Sequence, residues 1–387
     1  MSQIFASLEK TGSYASVLKN IDNMLATKPK ALTIILAVNN GITKELLDPI
    51  LGALSIPVSG GIFPKIIFKD QLLDKGSIVI AWYNEVTITN YKNIENTDSI
   101  KDLIGSTYIP NKLKLDNDNT RQNNDSSEYL IFIDGAVSKF EDNIDILYKK
   151  VGFRATFSGG GTGSLSLDQT HCIISNEGLL KNAMQTVAIN YKTHVTVTHG
   201  LQKQSGPHLV TSAKASSVDA INYESAVSFY EKHNGLYRDN NLKPTEFSDY
   251  YNDYPIGIEN LDGDILVREP IRYNDKSIEY IGYIPEYSKI HMLSGTEDSA
   301  REAVDKELND LKLSDEDNDA CFIFSCALRD DADNEGESKE IKMLNKHLRG
   351  SKHIIGALSM GEIATSQSRL LQLHNKSIVI TRLRGEL

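Results

Sequence analysis

Cysteine is nearly absent: the 387 residues include only Cys172, Cys321 and Cys326. An odd, small number of thiols excludes a disulfide framework as the basis of the fold and fits free cysteines in a reducing compartment. Cys321 and Cys326 lie five positions apart on one predicted strand, so their side chains point to opposite faces and do not make a metal pair. Long apolar runs are missing too. The longest, Ala31 to Val38, is interrupted by Thr33 and falls far short of the roughly 20 residues that span a bilayer. The N-terminus has neither a basic stretch nor a sustained apolar one, so no secretory leader is expected and the expected location is cytoplasmic. Basic charge is scarce as well, with 41 Lys and Arg against 52 Asp and Glu, a net of 41 − 52 = −11. That sign opposes the phosphate neutralisation that drives nucleic-acid binding, so neither nucleic acid nor insertion into a membrane is expected. No G-x-S-x-G, H-E-x-x-H or C-x-x-C-H pattern occurs, which leaves the common hydrolase, zinc-protease and covalent-haem signatures unrepresented.

What is present is one pattern written three times: an apolar strand, a helix, a glycine-marked second strand, then two strands that bring the chain back. The first copy runs from Leu32 through a helix over Lys44 to Leu54, the turn Ser59-Gly60-Gly61, and strands at Ile66 to Phe68 and Ile78 to Tyr83. The second uses Tyr129 to Asp134, a helix over Phe140 to Tyr148, Ser158 to Gly161, His171 to Ser175 and Thr186 to Tyr191. The third uses Cys321 to Cys326, a helix over Lys339 to His347, Gly356 to Gly361, Leu370 to Leu373 and Ser377 to Thr381. A period of roughly 60 to 70 residues, unevenly spaced, is too long for a solenoid and implies duplicated lobes. Strand, helix, strand is the parallel βαβ signature, and the return without a helix is antiparallel, so each lobe is a mixed α/β, or α+β, unit. The expected architecture is three related β-α-β-β-β lobes in two domains: an N-terminal helix within 1–29, a first domain at 30–235 with two repeats, and a second at 236–387. The polar run 112–128 is expected to be a mobile loop, and the Asn-, Asp- and Tyr-rich stretch 234–255 a boundary.

The third copy carries the densest chemistry: Ser325-Cys326-Ala327-Leu328-Arg329, Gly361-Glu362-Ile363 and His374-Asn375. In these three motifs, in this order, the chain resembles the FIST family of signal-transduction proteins. His199-Gly200 followed by Gly206-Pro207, the helix Ala226 to Tyr230, and Val267-Arg268 are similar to further steps of the family. Leu201 and Ser377 stand where the family has other residues. The resemblance covers roughly 30–385 and rests on several ordered motifs. It implies a FIST N-terminal and a FIST C-terminal domain, no enzymatic activity, and a sensor that binds a small-molecule ligand and passes the signal to a partner such as a histidine kinase, as in two-component systems, or a cyclic-di-nucleotide enzyme. Some stand-alone members sense nitric oxide with bound haem, which makes haem the cofactor the resemblance admits. The nine histidines do not single out its ligand.

The residues expected at a ligand site are therefore Cys326, Arg329, Gly361, Glu362, Arg268, His199, His374 and Asn375. Arg329 follows a strand end, where βαβ loops line a crevice, and its planar fork suits a carboxylate ligand or a salt bridge to Asp330, Asp331 or another nearby acid. Glu362 falls on the same edge, where it can bind an ammonium or pair with Arg329. Cys326 is a small buried apolar residue or, with Arg329 lowering its pKa, the nucleophile of a thiol-dependent enzyme, the alternative from a different class. His374-Asn375 occupies a turn in which Asn tolerates positive φ. Ser158 to Ser164 invites a phosphate-loop reading but lacks the Gly-Lys-Ser/Thr ending.

Overall fold

The computed structural model describes residues 4–98, 101, 127–166, 168–233, 254–260, 263–311, 318–333 and 337–385. It is a mixed α+β structure divided into two compact units: Met1–Val197 with Leu308–Leu373 and Ile378–Leu387, and Thr198–Glu307 with His374–Ser377. All three repeats lie in the first unit except the turn His374–Ser377 of the third, and residues 234–253 of the expected boundary fall outside the described residues. Of the predicted loop 112–128, residues 112–126 fall outside the described residues, and Ser127 and Glu128 already belong to a strand.

The first repeat comprises β1 (Ile4–Glu9), α1 (Tyr14–Leu25), β2 (Ala31–Ala37), α2 (Lys44–Ala53), β3 (Val58–Phe63), the hairpin β4 (Ile66–Phe68) and β5 (Gln71–Leu73), and β6 (Ser77–Trp82). The second comprises β7 (Thr87–Lys92), β8 (Ser127–Asp134), α3 (Phe140–Val151), β9 (Ala155–Thr162), the hairpin β10 (Ile173–Ser175) and β11 (Gly178–Leu180), and β12 (Ala183–Ile189). After β13 (Lys192–Thr198) the chain enters the second unit with β14 (Gln202–Lys214), β15 (Ser217–Ile221), β16 (Glu224–Ser225) and α4 (Ala226–His233). That unit continues through β17 (Ile256–Glu259), β18 (Ile265–Arg268), β19 (Pro270–Tyr273), β20 (Ile278–Tyr280), β21 (Lys289–Ser294) and α5 (Glu297–Asp310). The third repeat comprises β22 (Ala320–Cys326), α6 (Lys339–His347), β23 (Ile354–Ser359), the hairpin β24 (Glu362–Thr365) and β25 (Leu371–His374), and β26 (Ile378–Arg384).

The repeats are tied together cyclically. The sheet order β1-β6-β2-β3-β10-β11 gives the first repeat the hairpin of the second; β7-β12-β8-β9-β24-β25 gives the second that of the third; β13-β26-β22-β23-β4-β5 gives the third that of the first. Within each sheet β2/β3, β8/β9 and β22/β23 run parallel, and the returning strands run antiparallel. The first strands read as continuous apolar runs because they are buried on both faces, as parallel strands usually are. Phe63, Phe132 and Phe324 meet at the centre with ring centroids 6.2–6.3 Å apart, one side chain from each repeat.

The repeated glycines are not turns, as the sequence suggested, but strand interiors. Ile34, Ile131 and Ile323 stand opposite Gly60, Gly159 and Gly356 in the parallel registers. A Cβ on any of these three glycines would come within 1.9 Å of the facing isoleucine's carbonyl oxygen, so only hydrogen fits. The neighbouring glycines of β9 are explained by the chain itself. Gly161 N–H donates to Gly361 O at 2.8 Å, and Met360 N–H donates to Gly161 O at 2.9 Å. That close backbone approach accounts for the run that resembled a phosphate loop.

The second unit has its own sheet, β18-β17-β21-β14-β15-β20-β19 with β16 beside β15. Its core gathers Val210, Val218, Phe229, Tyr230, Ile256, Tyr280 and Met292.

Candidate functional site

The structure assigns Cys326, Arg329, Gly361 and Glu362 to the first unit, and Arg268, His199, His374 and Asn375 to the second. In the third repeat β22 ends at Cys326 and a 3₁₀ turn, Ala327–Arg329, delivers the guanidinium to the first turn of α6. There Arg329 meets Glu340 with two nitrogens, Nε at 3.1 Å and Nη2 closer still, and both side chains are buried. Burial works against the Arg329 charge, and the field of Glu340, with lesser help from Cys326 and Glu362, holds it above its usual range. Of the acids the sequence offered, Asp331 instead accepts from Ser338 Oγ and the Glu340 N–H, and Asp330 pairs with Lys65 at 2.5 Å. Glu362 is fully buried and accepts from Ser359 Oγ at 2.9 Å. Gly361 permits the turn into it with φ of 97°. Cys326, Arg329 and Glu362 are thus brought together, with two residues the sequence reading missed, Glu340 and Ser359. Glu340 carried a faint signal, an acid in a helix's first turn.

In the second unit Arg268 is buried, donating from Nε to Tyr283 O at 3.0 Å and from Nη1 to Val267 O at 3.3 Å. Its neighbour Glu269 donates its N–H to Asn375 Oδ1 at 3.3 Å, and Lys376 Nζ lies 3.3 Å from Glu269 Oε1. The positive φ at this turn belongs to Lys376, at 48°, not to Asn375 as expected; Asn375 acts through its side-chain amide. His374 is buried. His199 accepts the Leu201 N–H on Nδ1 at 2.9 Å, just before Gly200 with φ of 71°: a local turn contact. Glu269 directly follows the Val267-Arg268 step and Lys376 directly follows His374-Asn375, and neither was expected at the site.

Among the described residues, a cleft of about 300 Å³ lies in the first repeat's sheet, opening at the carboxyl end of β2 beside the start of α2, the edge of a βαβ unit at which ligands generally bind. Its floor is apolar: Leu36, Ile42, Ile62 and Leu179. Its rim is polar: Thr43, Glu45, Thr170 and His171. The Glu45 carboxyl is held below its usual range by hydrogen bonds from Thr43 and its own N–H, with a smaller contribution from His171. Lys44 is committed to Asp48 and, at 3.2 Å, to Leu179 O. The volume suits a small organic molecule. The sequence reading passed over this repeat because its glycine pattern was shared with the others.

The FIST N domain matches residues 32–224 and the FIST C domain residues 226–365. The chain belongs to the FIST family. A search of curated proteins finds no match. FIST domains are sensory domains of signal transduction, and this FIST protein therefore has a sensory role. Among its described residues no helix is long and apolar enough to cross a membrane, and no group of three or more His, Cys, Asp or Glu is placed to hold a metal ion.

Proposed function

We propose that this chain is a non-enzymatic cytoplasmic sensor that takes up a small molecule in the first-repeat cleft and so changes its affinity for a signalling partner, such as a histidine kinase or a cyclic-di-nucleotide enzyme. One observation carries this reading: the apolar-floored, polar-rimmed cleft of about 300 Å³ at the carboxyl end of β2. The burial of Cys172, Cys321 and Cys326 supports the non-enzymatic part, since a nucleophilic thiol needs access. Burial and the two-point contact with Glu340 make Arg329 a poorer ligand grip than an open cleft.

A thermal-shift screen of small metabolites tests it. A ligand at 100 times its Kd stabilises by about 2.7 kcal/mol, and the shift is expected to vanish in Ile42→Trp, which fills the cleft. A shift that survives Ile42→Trp but disappears in Arg329→Ala would move the site to the third repeat.

A further inference from the structure

The three repeats show, at equivalent positions, three ways of filling one space. Six residues beyond the paired Ile34, Ile131 and Ile323 stand Asn40, Val137 and Arg329. The second residue of the following helix is a glutamate each time: Glu45, Glu141 and Glu340. In the third repeat the space between the two positions is closed by the guanidinium of Arg329 lying on Glu340. In the second, the equivalent position is the apolar Val137, which is buried, carbon replacing the charge. In the first, Asn40 faces another way: its Nδ2 donates to Gly76 O and its Oδ1 accepts from Gly76 N–H, both at 2.8 Å. What remains between Asn40 and Glu45 is the cleft.

We propose that the first-repeat cleft takes a small organic cation, an alkylguanidinium or alkylammonium, whose charged head sits on Glu45 as Arg329 sits on Glu340. The proposal rests on the cleft being the ligand site. The carbon tail lies on Ile42, Ile62 and Leu179, as the arginine stem would. The charges on the rim favour the same class. Glu45 already places an anion at the start of α2, where an anionic ligand would otherwise be drawn. Among the lining residues the lysine, Lys44, is paired with Asp48, and His171 is the remaining basic side chain on the rim. A guanidinium or ammonium head gains a charge-assisted hydrogen bond to Glu45, and a guanidinium can reach both carboxylate oxygens.

The test uses the full chain and four probes of equal tail length: butylguanidinium, butylammonium, butanol and butyrate, each titrated at millimolar concentration by calorimetry and thermal shift. Both cations are expected to bind, butanol more weakly and butyrate least. Glu45→Gln, an exposed and isosteric change, is expected to weaken the cations about tenfold or more, the loss of a charged hydrogen bond, while the ligand-free melting temperature stays near that of the parent. Ile42→Trp is expected to abolish all binding. Butanol or butyrate binding as tightly as the cations and lost in Ile42→Trp would overturn the cationic class and leave the cleft standing; cation binding unchanged in Glu45→Gln would overturn it too. Failure of all four probes to bind would overturn the class and the cleft together.

Discussion

Carboxylates make the clearest statements at the scale of single residues. Glu340 is buried against Arg329, and removing one partner of a buried pair strands the other charge at a cost of about 3–5 kcal/mol. Glu340→Gln is therefore expected to lower unfolding free energy by about 3 kcal/mol or more in urea titrations. The paired change Arg329→Met with Glu340→Leu is expected to cost much less, because no charge remains to be buried. Glu259 behaves differently. Lys289, Lys203 and His291 surround it and hold its carboxyl down to about 2 from an ordinary 4.5. A depressed folded pKa contributes stability that is present above the unfolded value, so this contribution is complete above about pH 4.5 and fades as pH falls toward 2. Carbon-detected titration of the Glu259 carboxyl should show that low midpoint, and Lys289→Ala should move it upward. A midpoint in the ordinary carboxylate range would show that Lys289, Lys203 and His291 do not act on Glu259 in solution. Arg329 was legible in the sequence as a charge at a strand end, whereas Glu340 showed only as an acid in a helix's first turn, with nothing to name its partner. Their contact depends on the chain between them bringing the start of α6 back beside β22, which no local pattern encodes.

Secondary-structure elements were more legible. The expected N-terminal helix is α1, which buries Val17, Ile21 and Met24 and leaves Leu18 and Leu25 half-buried; α6 begins and ends at Lys339 and His347, as expected. Glycine was the misleading signal. Local rules read Ser-Gly-Gly as a turn, yet Gly60, Gly159 and Gly356 sit in strand centres because a facing carbonyl excludes any Cβ. That requirement arises across two strands and is invisible along one. Gly356→Ala is expected to destabilise by about 3 kcal/mol, since the atom in the way is backbone and cannot rotate aside. Gly52, inside α2 with nothing nearer to a would-be Cβ than Asn176 O at 3.8 Å, offers a contrast: Gly52→Ala should cost nothing and can stabilise the helix. Equal losses at the two positions, measured by chemical denaturation, would contradict the steric account.

For the first unit taken as a whole, the cyclic exchange of hairpins makes each sheet depend on another repeat. The three repeats are accordingly expected to unfold in one transition; a populated intermediate with one repeat melted and two intact, seen by hydrogen exchange, would break that expectation. The threefold duplication was readable from the sequence, but the exchange was not, because hairpins of three and four residues carry no partner preference of their own. The same limit hid the cleft. Arg329 and Glu362, distinctive of the third repeat, are spent by the fold largely on Glu340 and Ser359. The cleft arises instead from what the first repeat lacks, an arginine or an apolar plug at Asn40. The most direct test of the cleft as ligand site is a methyl NMR titration of the full chain with butylguanidinium. Saturable shifts confined to Ile42, Ile62, Leu36 and Leu179, which need about tenfold more ligand or beyond in Glu45→Gln, are the predicted result. Shifts centred on Leu358, Ile363 and Leu373 of the third repeat, or none at all, would contradict it.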